Sequence, residues 1–319
     1  MAGRFVRINR KHWKAAPSRK RGLQMSRTYR ITFLGLAFAI MTALSAAPSL
    51  RAQQFAPIVT HALSGGVYWI EGGVGSNSGV VVGKDGVIVI DAKQTPESGK
   101  AVMAEVAKIT PKPVTHIILT HSNLDHVDGL PGFPKGLTII AQENCKQQME
   151  HPRNNPQNID LSGYIPTKTV GKKESMTIDG VRFVLLHWAP AHTSGDLIIY
   201  LPDQKIAFTG DITVTRLPYP LIHLEDEGSS AGWIESMKGI VALNADTFVP
   251  GHGGPQTKPE LQMRVANTAA RREKIKELVA QGKSLPDIKK ELGEAAPANG
   301  GNFASFTDVV YKELTKSKS

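Results

Sequence analysis

The sequence predicts a mixed α/β fold on three observations. Gly-punctuated runs of β-branched and aromatic residues at 66–71, 76–82 and 86–90 read as consecutive antiparallel strands. A capped amphipathic helix follows them, and the next run, 114–119, is apolar almost throughout, as a strand buried on both faces requires. Strands and helices then stay mixed, with no linker, internal repeat or low-complexity tract between them.

The helix begins at Thr95, an N-cap residue with Pro96 in the first helical position. Val102, Val106 and Ile109 fall on one of its faces, and Pro111 and Pro113 end it. In the second half, 138–141, 181–186, 197–201 and 206–208 read as strands, 229–243 as an amphipathic helix and 247–249 as a last strand. The polar stretch 151–164, with Asn154-Asn155-Pro156, is a surface loop or flap. From 258 onward the chain turns helical, with Leu261, Val265, Ile275 and Leu278 at helical spacings and short helices near Pro286 and Phe306. The glycine-rich stretch 73–83 matches neither G-x-x-x-x-G-K-S/T nor G-x-G-x-x-G and lies between strands, so it is expected to form a hairpin flap. The run Arg271-Arg272-Glu273-Lys274 is expected to be a solvated helix face.

A chain of 319 residues can bury a core large enough to hold a rigid site. The net charge of +10 suggests an anionic partner, but residues 1–52 hold eleven Lys and Arg and no acid, and the remaining 27 basic and 28 acidic residues nearly cancel. Neither nucleic acid nor a membrane surface is therefore an expected partner. The basic block runs into an uncharged apolar stretch, 31–47, interrupted by Gly35, Thr42 and Ser45 and short for a membrane span. Residues 1–52 are thus expected to be a secretory signal, with Met25 a candidate true start, and the mature protein to be periplasmic or secreted. The competing reading is an uncleaved anchor. A catalytic domain, 53–257, and a helical extension packed on it, 258–319, complete the expected organisation. One cysteine, Cys145, rules out an intrachain disulfide and reads as a half-buried structural residue.

The chemistry-bearing residues follow the strands. The apolar run ending at Leu119 leads straight into His121-Ser122-Asn123-Leu124-Asp125-His126, and loops at the carboxyl ends of strands are where such sheets place ligands. Downstream, His192, Asp211 and His252 each sit at a Gly-containing turn beside a predicted strand. One such residue is usually a cap or a surface group. Together, these imidazoles and carboxylates are the donors that suit zinc and related divalent ions.

Over about residues 60–255 the sequence resembles the metallo-β-lactamase superfamily, whose pattern is H-x-H-x-D-H followed by a His, an Asp and a final His. The resemblance implies a four-layer αββα sandwich with C-terminal helices. It also implies a first metal site of His121, Asn123 and His192, a second of Asp125, His126 and His252, and Asp211 bridging them. Asp91, closing the run 87–91, matches the family's acidic residue that supports the site. The implied cofactor is one or two zinc ions, with iron or manganese as alternatives. The implied activity is hydrolysis of an ester, lactone, thioester or lactam bond in a small molecule by a metal-bound hydroxide, with Asp125 orienting that nucleophile or shuttling its proton.

One departure from the pattern matters. Asn123 stands where the family has its second His, and an amide oxygen is a poorer zinc ligand than imidazole, so it either ligates weakly or hydrogen-bonds a neighbouring ligand. Asp211 argues against a dedicated β-lactamase, Val214 stands where signal-lactone hydrolases carry Tyr, and 212–220 lacks the basic, glycine-rich stretch of glutathione-thioester hydrolases. Tyr219, His223 and Trp233 are candidates to line the pocket. Two other functional readings are open: an iron-dependent oxygenase of sulfur compounds, and a non-catalytic metal-binding member of the family.

Overall fold

The computed structural model describes residues 57–152, 156–215, 217–294 and 303–316, so the expected signal segment and its candidate start at Met25 lie outside the described residues. The first half forms a seven-stranded sheet in sequence order. Its strands are β1 (Val59–Ala62), β2 (Val67–Glu71), β3 (Ser78–Val82), β4 (Val87–Ile90), β5 (Val114–Ile118), β6 (Thr138–Gln142) and β7 (Lys168–Val170). They pair antiparallel up to β4 and parallel from β4 to β7. The change has a covalent reason: short turns join the first four strands, whereas α1 (Pro96–Ile109), the short α2 (Leu124–Val127) and α3 (Glu143–Glu150) carry the chain back between the parallel ones.

The second sheet has the order β12-β11-β10-β9-β8, from β8 (Lys173–Ile178), β9 (Val181–Leu186), β10 (Ile198–Leu201), β11 (Ile206–Gly210) and β12 (Thr247–Pro250). Only β11 and β12 pair parallel, with α4 (Ser230–Ala242) as their crossover. Helices α5 (Lys258–Ala280), α6 (Leu285–Glu291) and α7 (Phe306–Thr315) follow.

Strand periodicity builds the layers. Val87 and Val89 face the helical side with Val102 and Val106 of α1, while Ile88 and Ile90 face Phe183, Leu185 and Phe208 between the two sheets. In the second sheet Ile199 and Leu201 enter that same central layer, while Ile198 and Tyr200 turn outward to Trp233, Met237 and Ile240 of α4. The result is an αββα sandwich, and α5–α7 extend its outer helical layer through Leu261, Ile275, Leu278, Ile288 and Val309.

Three expectations need correction. Cys145 is fully buried, not half-buried, because α3 lays it against Gly195. Arg271 and Arg272 are not a solvated face. Arg271 donates to Leu292 O (3.2 Å) and Glu294 Oε2 (3.1 Å) and lies over the Tyr219 ring, while Arg272 Nε donates to Ser230 Oγ (2.8 Å). Tyr219, stacked on Phe306, and Trp233, whose indole donates to Ile212 O (2.8 Å), serve packing and do not line the cavity at the site.

Candidate metal centre

The centre gathers at the carboxyl ends of four strands: β4 delivers Asp91, β5 the segment 119–126, β11 Asp211 and β12 His252. Each position follows closely on a strand end, where the chain turns abruptly. At Gly210 the turn needs φ +51°. Gly251 answers a different demand, since a Cβ there would lie 2.0 Å from Asp211 Oδ1 and 2.8 Å from His126 Cε1. Only glycine lets the β12 loop close over the centre.

Asp211 is the hub. Its carboxylate lies 3.3 Å from His126 Nε2, 3.6 Å from His252 Nε2 and 3.9 Å from His192 Nε2. Asp125 Oδ2 lies 2.9 Å from His252 Nε2 and 3.8 Å from His126 Nε2. Two sets of donor atoms, His121–His126–Asp211 and Asp125–His126–His252, fall within 4.8 Å of one another. The second set is the one expected for the second site; the first takes His126 where Asn123 and His192 were expected. His192 stands beside it, its ring 4.8 Å from that of His121 and its Nε2 2.7 Å from Asn123 Oδ1.

A supporting layer fixes these rings. Asp91 accepts from Thr120 N (2.8 Å) and Thr120 Oγ1 (2.7 Å), and its Oδ2 holds His126 Nδ1 at 2.8 Å. His192 Nδ1 is held by Leu221 O at 2.9 Å. The sequence flagged Asp91; Thr120, the Ser122–Gln148 hydrogen bond (2.6 Å) and the position of His223 beside His192 gave no local signal.

Charge follows geometry. Burial would strip the proton from His126, but Asp125, Asp211 and Asp91 more than offset it and hold its pKa well above the ordinary range. Burial opposes ionisation of Asp125 and Asp211 as well, yet the neighbouring imidazoles keep both carboxyls well below their usual range. Burial pushes His192 down to about 4 and His121 well below its ordinary value, leaving neutral rings with lone pairs to offer. The carboxylates thus demand positive charge at one point.

A divalent metal fits that demand. His121 Nε2, His126 Nε2 and Asp211 Oδ1 are buried and complete no hydrogen bond, and each such orphan costs about 1–3 kcal/mol unless something satisfies it. Three at one point, in an N/O set of donors, are what an ion of the zinc class resolves. The centre floors a cavity of about 610 Å³ whose wall includes Gln94, Leu124, Gln148, Leu221, His223 and Phe303.

A family model described as the metallo-beta-lactamase superfamily matches residues 71–252, from β2 to the last histidine of the centre. The chain belongs to the metallo-β-lactamase superfamily. Among curated relatives, it is 28% identical over 199 residues to the 2,4-dinitroanisole O-demethylase subunit alpha of Nocardioides sp., covering 61% of this chain and 57% of that one. It is 24% identical over 213 residues to a linear primary-alkylsulfatase of Pseudomonas sp. (54% and 40% covered). It is 31% identical over 166 residues to a hydroxyacylglutathione hydrolase of Brucella ovis (51% and 57% covered). The chain thus spans 40–57% of the length of these relatives. Among solved structures, a stereoselective inverting sec-alkylsulfatase from Pseudomonas sp. superposes with a TM-score of 0.63 at 15% identity, over 81% of this chain and 50% of that one. A metallo-beta-lactamase from Pontibacter korlensis gives 0.55 at 18% identity, over 67% and 99%. Both share the superfamily fold.

Proposed function

We propose that the protein is a metal-dependent hydrolase, zinc its metal, that cleaves an ester, lactone, thioester or lactam bond of a small molecule. One observation carries this reading: two sets of ligand atoms share His126 on the floor of a cavity of about 610 Å³, the size of a small-molecule site. The relatives named as an alkylsulfatase and a hydroxyacylglutathione hydrolase support it. The absence of a basic, glycine-rich stretch at 212–220 turns it away from a glutathione thioester.

The ligands assigned are His121, Asn123 and His192 for one ion, Asp125, His126 and His252 for the other, with Asp211 between them. A divalent ion in this place supplies Lewis acidity: it lets water lose a proton near neutral pH and polarises the bond under attack. The chain's own residues do the rest. Asp125, partly open to the cavity and ionised at neutral pH, accepts a hydrogen bond from the attacking water and orients it. Asp91 holds His126 by Nδ1, so that Nε2 faces the centre. Leu124, Val214, Leu221 and Phe303 give the substrate an apolar wall.

The test is metal analysis of purified protein, followed by a screen across ester, lactone, thioester and lactam substrates with and without chelator. Chelator-sensitive hydrolysis restored by zinc is the expected result. A metal-loaded protein inert to every class sinks the reading, and stoichiometric iron with oxygen uptake replaces it with the oxygenase. Export is proposed on the basic and apolar segment 1–52 alone, and fractionation of cells expressing the full chain tests it. No described helix is long and apolar enough to cross a membrane.

A further inference from the structure

We propose that His223 is a metal ligand of this centre, adding the imidazole that the first site lacks because Asn123 stands in the second-His place; the inference rests on the metallohydrolase reading above. Position is the first support. His223 lines the cavity, and its ring centroid lies 4.7 Å from that of His192, which lies 4.8 Å from that of His121. With Zn–N bonds of about 2.0–2.1 Å in a tetrahedral site, two rings on one ion have centroids about 5 Å apart. Each neighbouring pair, His223–His192 and His192–His121, thus has the spacing of two rings on one ion.

The second support is the way the ring is held. A ligating histidine keeps one nitrogen against an oxygen acceptor and turns the other to the metal. His126 does so with Asp91, and His192 with Leu221 O. In His223 the Nδ1 likewise faces oxygen acceptors, at ion-pair distance, 3.2 Å from Glu225 Oε1 and 3.8 Å from Asp226 Oδ2, and no described residue hydrogen-bonds its Nε2. The third support is the donor inventory. Without His223 the first site offers two imidazoles, an amide oxygen and a share of the Asp211 carboxylate, and that amide oxygen already lies 2.7 Å from His192 Nε2. A zinc ion prefers nitrogen to a neutral amide, and His223 brings a further imidazole to the wall of the same cavity.

Zinc titration of the full chain against a chromophoric chelator, with the absorption of cobalt(II) as a second readout, tests this. Wild type is expected to bind two ions. In His223→Ala the looser ion is expected to weaken by at least about tenfold while the tighter one is unchanged, since outer positions alone change affinity by about 10–100-fold. Adding Asn123→His to that variant is expected to restore the looser ion. His223→Gln, closer in shape, repeats the measurement should the alanine variant fail to fold. Wild-type affinity at both sites in the folded His223 variants, or a wild type that holds a single ion, overturns the proposal. Hydrolysis plays no part in the readout. A chain that binds two ions in this His223-dependent way and cleaves no substrate refutes the hydrolase reading and leaves this one standing.

Discussion

Asp91 carries a left-handed backbone, φ +57°, that a non-glycine residue adopts at a cost of about 1–3 kcal/mol. The conformation turns its carboxylate back onto Thr120 and His126, and three hydrogen bonds offset the strain. Asp91→Asn, which keeps the shape and removes the charge, is therefore expected to fold and to weaken metal binding about 10–100-fold, read by chelator competition. His252→Ala acts directly, removing a donor from the Asp125–His126–His252 set. It is expected to lower hydrolysis by about 100-fold or more and to reduce the metal content measured on purified protein; unchanged content would break the second-site assignment. At this scale the sequence was legible where ligands are packed into one motif, as in 121–126, or stand at a strand end, as Asp91, Asp211 and His252 do. His223 was noted only as pocket lining. It sits in a loop with no ligand spacing around it, and its approach to His192 exists only once the fold brings 192 and 223 together.

The elements that escaped sequence reading are edges. The strand β8 reads Lys-Glu-Ser-Met-Thr-Ile with Lys173, Ser175 and Thr177 exposed, and β1 is exposed at both ends, so neither carries the apolar pattern of β4 or β10. A polar edge is good protection against stray pairing and a poor strand signal. The β2–β3 connection was expected as a flap over the site; it is a staple. Lys93 Nζ, fully buried, donates to Gly72 O (2.9 Å) and Ser76 O (2.7 Å), Ser76 N to Asp125 O (3.0 Å), and Asn77 N to Gly251 O (2.7 Å). Burial lowers the Lys93 pKa from 10.5 to about 8, against the pull of Asp91 and Glu71. Between those values the unfolded chain binds the extra proton, so Lys93 detracts from stability below about pH 8 and that loss is relieved as the pH rises toward 10.5. Relative to Lys93→Met, the unfolding free energy of wild type is expected to climb by on the order of 3 kcal/mol over this window, measured by urea titration at its two ends. Parallel curves would show that the amine is not buried in charged form. The helix α5 is pinned by a similar contact, and Arg271→Ala is expected to lower stability by about 2 kcal/mol, because it removes the bonds to Leu292 O and Glu294 and the stack on Tyr219.

At the scale of the molecule, α5–α7 share one apolar cluster with α4 and the second sheet: Leu261, Leu278 and Val310 lie in the same core as Trp233 and Phe248. A helical extension that merely rested on the catalytic part would unfold by itself. Denaturation followed by tryptophan fluorescence and by far-ultraviolet circular dichroism is instead expected to give coincident single transitions, and a separate helical transition would contradict the shared core. The sequence's one cysteine, Cys145, is sealed in the other helical layer with its thiol pushed well above the usual range by burial. Thiol reagents therefore meet a silent background. A cysteine placed at Phe303, exposed on the cavity rim, would be the only one they label, so a single dye could report in real time whether a molecule has entered.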